Sequence, residues 1–479
     1  MTPPPNIVVN MTDQQGVPDN ACLAELFKKM NGYTPVTALR PDFVPETPVR
    51  IKPTMPPELR KAWDLALFEV ESNGVASPYG GRYFTAGGRG VGWRGMIFGQ
   101  DTFGAGLLAL NTLYPDLMKS QIRTYCLARV NIGFIGPRNW LIEGLEKAVP
   151  LDLDVWVPGG RQFAERYSMS PALNRTGMDV GWLWNAADLF DRHGDLMDWA
   201  WLYGMGDLFF DYFYKPFHDE RDGLYWGQPS FVDVGVNGYP PEFGRRTQAA
   251  RNKGLWVKAT STNCMYVKSM EAMASAAERL GMSLKAAGWR EAAARLTQAI
   301  RDTLRFPDGT FTYFKHPDGR LEPRQEALGA ALAVLSGVVT GEEAVAAIRH
   351  YPITDLGVPI IHPFYDNSQG YHNNASWPFI DAFFMMACEK ATGRSFGLPH
   401  ARSAAYAIHD DPGQAKTEAP IDVSTGTFAE VVNWMTRTPG GHPAQMWSIC
   451  GFLNLCLRSG WTTPDVTWDS RFLNTRRNP

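Results

Sequence analysis

The chain has 479 residues, with 46 basic side chains against 49 acidic ones and a formal net charge of -3. Hydrophobic residues make up 44% and charged residues 20%, the balance of a globular protein with a large core. This excludes the basic field that holds a nucleic-acid backbone, and no apolar run reaches the ~18 residues needed to span a membrane.

The N-terminus, MTPPPNIVVNMTDQQGVPDN, has neither a basic n-region nor an apolar h-region, so a cytoplasmic protein is expected. The cysteines, Cys22, Cys126, Cys264, Cys388, Cys450 and Cys456, form no CxxC pair and read as buried free thiols. The histidines show no HExxH or HxxxH spacing, so no metal or other cofactor is expected. The chain carries 16 Trp, 17 Tyr and 26 Phe. Core packing accounts for most of them, and the same rings stack on the C–H face of a pyranose.

Residues 1–60 are Pro-rich and read as an extended N-terminal arm with one short helix near Ala21–Met30. Residues 61–479 read as a single domain of six successive helical hairpins. The first is TFGAGLLALNTLYPDLMKSQIRTYCLARV, broken at LYPD. The second runs from GWLWNAADLF and turns at HGD. The third runs from TNCMYVKSM and turns at LGM. The fourth runs from EALGAALAV and turns at VVTGE. The fifth starts at SWPFIDAFFMMAC, and the sixth is TFAEVVNWMTRTPGGHPAQMWSICGFLNLCLRSG. FPDGTFTYFKHPDGRL is a short β-hairpin candidate.

FIDAFFMMAC and MWSICGFLNLCL are apolar on most faces, as helices buried all round must be. An open solenoid would show a firmer repeat. The expected fold is therefore all-α, an (α/α)6 barrel whose inner helices are entered from loops at one end. Long polar-aromatic loops precede several of these helices. They are YGGRYFTAGGRGVGWRGMIFGQDT, LYWGQPSFVDVGVNGYPPEFGRR, YDNSQGYHNNASWP and IDVSTGTFAE. Loops of this length in a compact domain are more often functional than connecting.

Glycoside hydrolysis needs one carboxylic acid to protonate the leaving oxygen and a second carboxylate to activate water or attack the sugar. Asp233, flanked by Phe231, Val232 and Val234, is one candidate, against a turn or capping role. Glu430, in GTFAEVVNWM, has apolar flanks on both sides. It is expected in the first turn of a helix, where the macrodipole gives it a structural alternative. Asp101, in FGQDTFGAGLLAL, is expected at a helix N-cap. His372 is either a ligand-orienting or a core histidine.

Taken in order, these motifs resemble the six-hairpin glycosidases, most closely the compact bacterial members of glycoside hydrolase family 63, kin to the trehalases. The motif that opens the first ring helix in that family reads Phe98-Gly99-Gln100-Asp101-Thr102 here, with Gln100 where the family has arginine. An aromatic Y-x-x-G-x-x-W-P loop is matched by Tyr371 to Pro378, and a glutamate, a Gly-containing gap and Trp-Ser by Glu430, TPGG and Trp447-Ser448. The resemblance implies Asp233 as general acid and Glu430 as general base of an inverting, exo-acting enzyme on a terminal α-linked glucose or related hexose. A small carbohydrate is the only partner it implies. The sugar would be held by Asp101, Phe98, Gln100, Trp93, Arg94, Tyr239, Tyr371, His372, Asn373, Trp377, Gln445 and Trp447. Residues 155–177, with Arg161, Arg166 and Arg175, form a candidate lid. A sugar 2-epimerase on the same barrel and a noncatalytic carbohydrate-binding protein are the alternatives.

Overall fold

The computed structural model describes residues 44–77, 79–90, 97–133, 180–229, 231, 238–243, 257–354, 356–365, 371–393, 408–409, 426–463 and 472. The expected helix at 21–30 and the candidate lid at 155–177 lie outside them.

The helices sort into two kinds by burial. Helix α1 spans Pro57–Asn73. Helix α2 begins as Gly99–Ala105, widens into a π-helical turn over Gly106–Leu110 and ends at Asn111–Leu113. There follow α3 (Pro115–Gly133), α4 (Gly181–His193), α5 (Leu196–Phe209), α6 (Thr260–Arg279) and α7 (Ser283–Thr303). The last are α8 (Ala327–Leu335), α9 (Gly341–Ile348), α10 (Pro378–Thr392) and α11 (Met446–Arg458). Every residue of α8 is buried, as is nearly all of α10 and α11. By contrast α7 buries only the stripe Ala286, Ala293, Leu296 and Ile300, the signature of an outer helix with one wet face.

The inner helices close a ring. Each packs on the next in the cycle α2, α4, α6, α8, α10, α11 and back to α2. The outer helices α3, α5 and α9 each straddle two inner neighbours, α7 lies along α6, and α1 backs α11. This is the expected (α/α)6 barrel. The amides Asn111 and Asn185 tie α2 to α4: Asn185 Nδ2 donates to Thr102 O at 3.0 Å and Asn111 Nδ2 to Asn185 Oδ1 at 2.9 Å. A Cβ on Gly106 would fall 2.1 Å from that Asn185 Oδ1, so glycine is what lets the Asn185 side chain lie against α2 there.

Two expectations are corrected. The sixth hairpin does not begin with a helix. Its first half forms short strands, β2 (Thr427–Phe428), β3 (Val431–Asn433) and β4 (Pro439–Gly440), preceded in the chain by β1 (Ala375–Ser376). Strand β3 pairs antiparallel with β1 (Ser376 opposite Val432) and with β4 (Val431 opposite Gly440). Valines with a partner strand on each side favour extended backbone over a helical turn. The outer partner of α11 is instead α1, from the start of the chain. FPDGTFTYFKHPDGRL also departs from one hairpin. It makes two tight turns, with bridges Arg305–Phe311 and Lys315–Leu321, and Phe314–Lys315 pairs with Lys258–Ala259.

Residues 44–56 run along the barrel. Glu46 accepts from the Asp116 and Leu117 amides at the start of α3 (2.7 and 3.2 Å), and Arg50–Ile51 pairs with Thr462–Thr463. Cys126, Cys264, Cys388, Cys450 and Cys456 are buried, as expected, and Cys22 lies outside the described residues. Among the described residues no helix is long and apolar enough to cross a membrane.

Glu326, immediately before α8, is fully buried. Burial pushes its carboxyl from an ordinary 4.5 up to about 8, opposed by the Ser261 hydroxyl. A carboxyl raised in the folded state binds its proton more tightly there than in the unfolded chain. Its contribution is therefore complete below about pH 4.5 and is lost as pH rises through about 8. Thermal melts of the protein should fall in midpoint from pH 5 to pH 9, and Glu326→Gln should flatten that decline by the equivalent of a few kcal/mol (~1.4 per pKa unit). An equally steep decline in the variant would remove Glu326 as its source.

Candidate active site

The inner helices begin at one mouth of the ring, as the contacts among their first turns show. Trp377, the residue before α10, lies 4.9 Å between ring centres from Trp447 in the first turn of α11. Phe379 stacks on Trp447 at 4.5 Å, with planes 11° apart. Phe231 packs on Phe379, Trp447 and Phe103 of α2 at 4.7, 5.7 and 6.0 Å. The result is an aromatic wall contributed by α2, α10, α11 and the loop before α6.

Glu430 stands at this wall in the bend between β2 and β3, and not in a helix. Its side chain is buried. The Tyr371 hydroxyl donates to Oε1 at 2.6 Å and the His442 backbone N–H donates to Oε2 at 3.1 Å. Two donors, one on each oxygen, fix the plane of the carboxylate. Gly441 passes close behind it with φ +80°, and a Cβ there would fall 2.5 Å from Oε2. Tyr371 is set in turn by the Trp377 indole, whose Nε1 donates to Tyr371 O at 2.9 Å. The His372 ring lies against both, at 4.6 and 5.0 Å.

Gln100 and Asp101 are buried in the first turn of α2. Asp101 is not the N-cap; that position belongs to Phe98, whose carbonyl accepts from Thr102 N and Oγ1 at 3.1 and 2.8 Å. Asp101 is the third helical residue and faces α11. There burial holds the Cys450 thiol well above its ordinary range and the Asp101 carboxylate adds to the effect. With the Gln445 amide turned so that Nε2 donates to Ala86 O (2.8 Å), its Oε1 accepts from Trp447 Nε1 at 2.9 Å.

The structure thus gathers Glu430, Tyr371, His372, Trp377, Gln445 and Trp447 into one contiguous group, with Gln100 and Asp101 on the adjoining helix. Asn373 is a brace: its amide bonds both Tyr365 N and Tyr365 O, at 3.0 and 2.9 Å. Tyr239 packs on Phe243, Tyr313 and Phe314, a separate aromatic patch. Asp233, Trp93 and Arg94 lie outside the described residues.

Sequence reasoning missed His442 and Gly441, and read Phe231 only as a flank of Asp233. Five described non-glycine residues have positive φ. Four of them, Arg89 (52°), Phe231 (73°), Asn374 (60°) and Ala444 (51°), sit in segments that build this site. Such backbone costs about 1–3 kcal/mol per residue and persists only where packing enforces it, most often at functional sites.

No protein-family model matches the chain, and no curated protein sequence matches it. Solved structures do. The GH78 family rhamnosidase of a Bacillus species is 16% identical over 88% of this chain and 36% of its own length, with a TM-score of 0.54. A sialidase is 14% identical over 92% of this chain and 37% of its own, with a TM-score of 0.57. The GH63 mannosylglycerate hydrolase from Thermus thermophilus, solved with Tris and D-glycerate, is 12% identical over 83% of this chain and 99% of its own, with a TM-score of 0.53. The chain spans little more than a third of the length of the first two. At these identities the likeness is one of fold, and the fold is that of the six-hairpin glycosidases.

Gly441→Ala should be costly, because it combines a left-handed backbone with a Cβ pressed onto Glu430. Urea unfolding is expected to show a loss of about 1–3 kcal/mol, whereas the exposed control Gly288→Ala inside α7 should show no loss, since alanine is the better helix former by about 0.5–1 kcal/mol. A Gly441→Ala loss no larger than the control's would mean that this approach is not tight.

Proposed function

We propose that the protein is an exo-acting, inverting glycoside hydrolase that removes a terminal α-linked glucose or related hexose from a small glycoside. The observation that carries the reading is Glu430: a buried carboxylate, oriented by Tyr371 and the His442 amide, at the aromatic mouth of a six-hairpin barrel. Trp377, Trp447 and His372 are buried rings of the kind that stack on a sugar, and Gln100 and Asp101 are buried polar groups of the kind that bind its hydroxyls.

In this reading Glu430 takes a proton from a water as that water's oxygen bonds to the anomeric carbon. The glycosidic C–O bond breaks on the opposite face, and Asp233 gives its proton to the leaving oxygen. Inversion requires the two carboxyls to stand roughly 6.5–9.5 Å apart, leaving room for the water. Asp233 is two residues from Phe231, which packs on Trp447 and Phe379; that proximity in the chain supports its assignment as the acid. Sugar contacts raise the rate only to the extent that they strengthen as the ring flattens toward the oxocarbenium-like state.

A sugar 2-epimerase is the second reading, because the His372 ring packs on Tyr371, which holds Glu430, and the His442 backbone N–H bonds Glu430, and proton abstraction beside a carbonyl commonly uses histidines.

The test is a panel of α-glucosides, α-mannosides and hexosyl acids, including mannosylglycerate as the substrate named for the GH63 neighbour, followed by proton NMR in D2O. The initial product should be the β-anomer, with no deuterium entering C2 of the free sugar. An α-anomer would exclude inversion, and C2 exchange would favour the epimerase. Asp233→Asn and Glu430→Gln should each reduce turnover by at least about 10³-fold, ~4 kcal/mol of barrier, with circular dichroism unchanged. A variant that keeps its turnover would release that residue from its role.

A further inference from the structure

Glu69 and Asn73 lie four residues apart on α1, the outer helix behind α11, and both are fully buried. A buried helix face is ordinarily apolar, and a carboxylate taken out of water is costly unless hydrogen bonds replace the water. Glu69 has those bonds, and all reach toward one place. Oε1 accepts from Thr427 Oγ1 at 2.7 Å and from Arg89 Nη2 at 3.3 Å. Oε2 accepts from the Phe428 amide at 3.1 Å. Having donated to Glu69, the Thr427 hydroxyl accepts from Ala444 N at 2.8 Å, while Asn73 Nδ2 donates to Ala444 O at 2.8 Å. Arg89 Nη2 also reaches Gly426 O at 3.4 Å.

These bonds converge on two backbone segments, 426–428 and 444. The first enters the bend that holds Glu430. The second follows His442, whose N–H holds Glu430 Oε2. We propose that Glu69 is a positioning residue for Glu430: through Thr427, Phe428 and Ala444 it fixes the two strands of backbone that set the carboxylate's place at the mouth of the barrel. Burial lifts the Glu69 carboxyl to about 7, against the pull of Arg89, Thr427 and the Phe428 amide. Its anion is the acceptor all three donors need. Glu69 acts at a distance, so its effect is one of placement, where an error of about 1 Å costs on the order of 10²-fold in rate.

The inference rests on the reading of Glu430 as the base, and the experiment keeps the two apart. Wild type, Glu69→Gln and Thr427→Val are crystallised and assayed in parallel. Thr427→Val removes one hydroxyl at constant shape and secures the test should Glu69→Gln not fold. In both variants the Tyr371–Glu430 and His442–Glu430 contacts should lengthen by more than about 0.5 Å, the tolerance of a productive site. Both should lose kcat by roughly 10- to 100-fold with KM within about threefold, on an α-glycosyl fluoride as well as on the glycoside. Fluoride departs without a proton, so that substrate reports the base side alone. A loss confined to the glycoside would overturn the inference, as would crystals in which both contacts are unchanged. Turnover retained by Glu430→Gln would remove the base assignment; the displacement of Glu430 in the crystals would then still decide whether Glu69 positions it.

Discussion

Everything at the mouth depends on ring closure: α11 must bury an apolar surface that runs around nearly its whole circumference. It does so between α10 and α2, with α1 behind. Once α11 is seated, the first turns of α2, α10 and α11 meet, and Trp377, Phe379, Phe231 and Trp447 stack into one wall. The candidate site groups then need no element of their own. They ride on the bends that enter the ring, where a turn can hold a carboxylate against aromatic rings without breaking a helix.

That arrangement carries a cost which the surrounding structure absorbs. Carboxylates are buried at Glu69, Asp101, Glu326 and Glu430, and backbone is held in left-handed geometry at Arg89, Phe231, Asn374 and Ala444. Glu69 and Glu430 are each held by hydrogen bonds from more than one segment of loop or strand. The hydrogen bonds to Glu430 come from the loop before α10 and from the turn before α11, so its orientation reports on how those two helices sit together.

Much of the ring is legible in the sequence. The turns at LYPD, HGD, LGM and VVTGE punctuate helical periodicity, and α8, α10 and α11 show apolar residues on all faces because nothing around them is water. The stretch from Thr427 to Asn433 reads as a helix because a short apolar run has no period that separates helix from strand. Its strand character comes from Ala375–Ser376, far away in the chain. Glu430 is nevertheless visible, since apolar flanks betray burial whichever conformation the backbone takes. Glu69 leaves a fainter trace, a polar residue on the buried stripe of α1. Its partners Thr427 and Phe428 lie 358 and 359 residues away, and no local pattern announces them.

The pairing of α1 with α11 also gives the molecule an order of assembly. Hairpins made of neighbouring segments form from short-range contacts, while contacts between distant segments come late. The bond between Asn73 and Ala444 joins residues 371 positions apart, and the brace behind Glu430 exists only when it and its neighbours are made. A nascent chain can therefore stack most of its helices while its key carboxylate is still unsupported. The support of Glu430 becomes a readout of completion, arriving only when α1 and α11 have found each other.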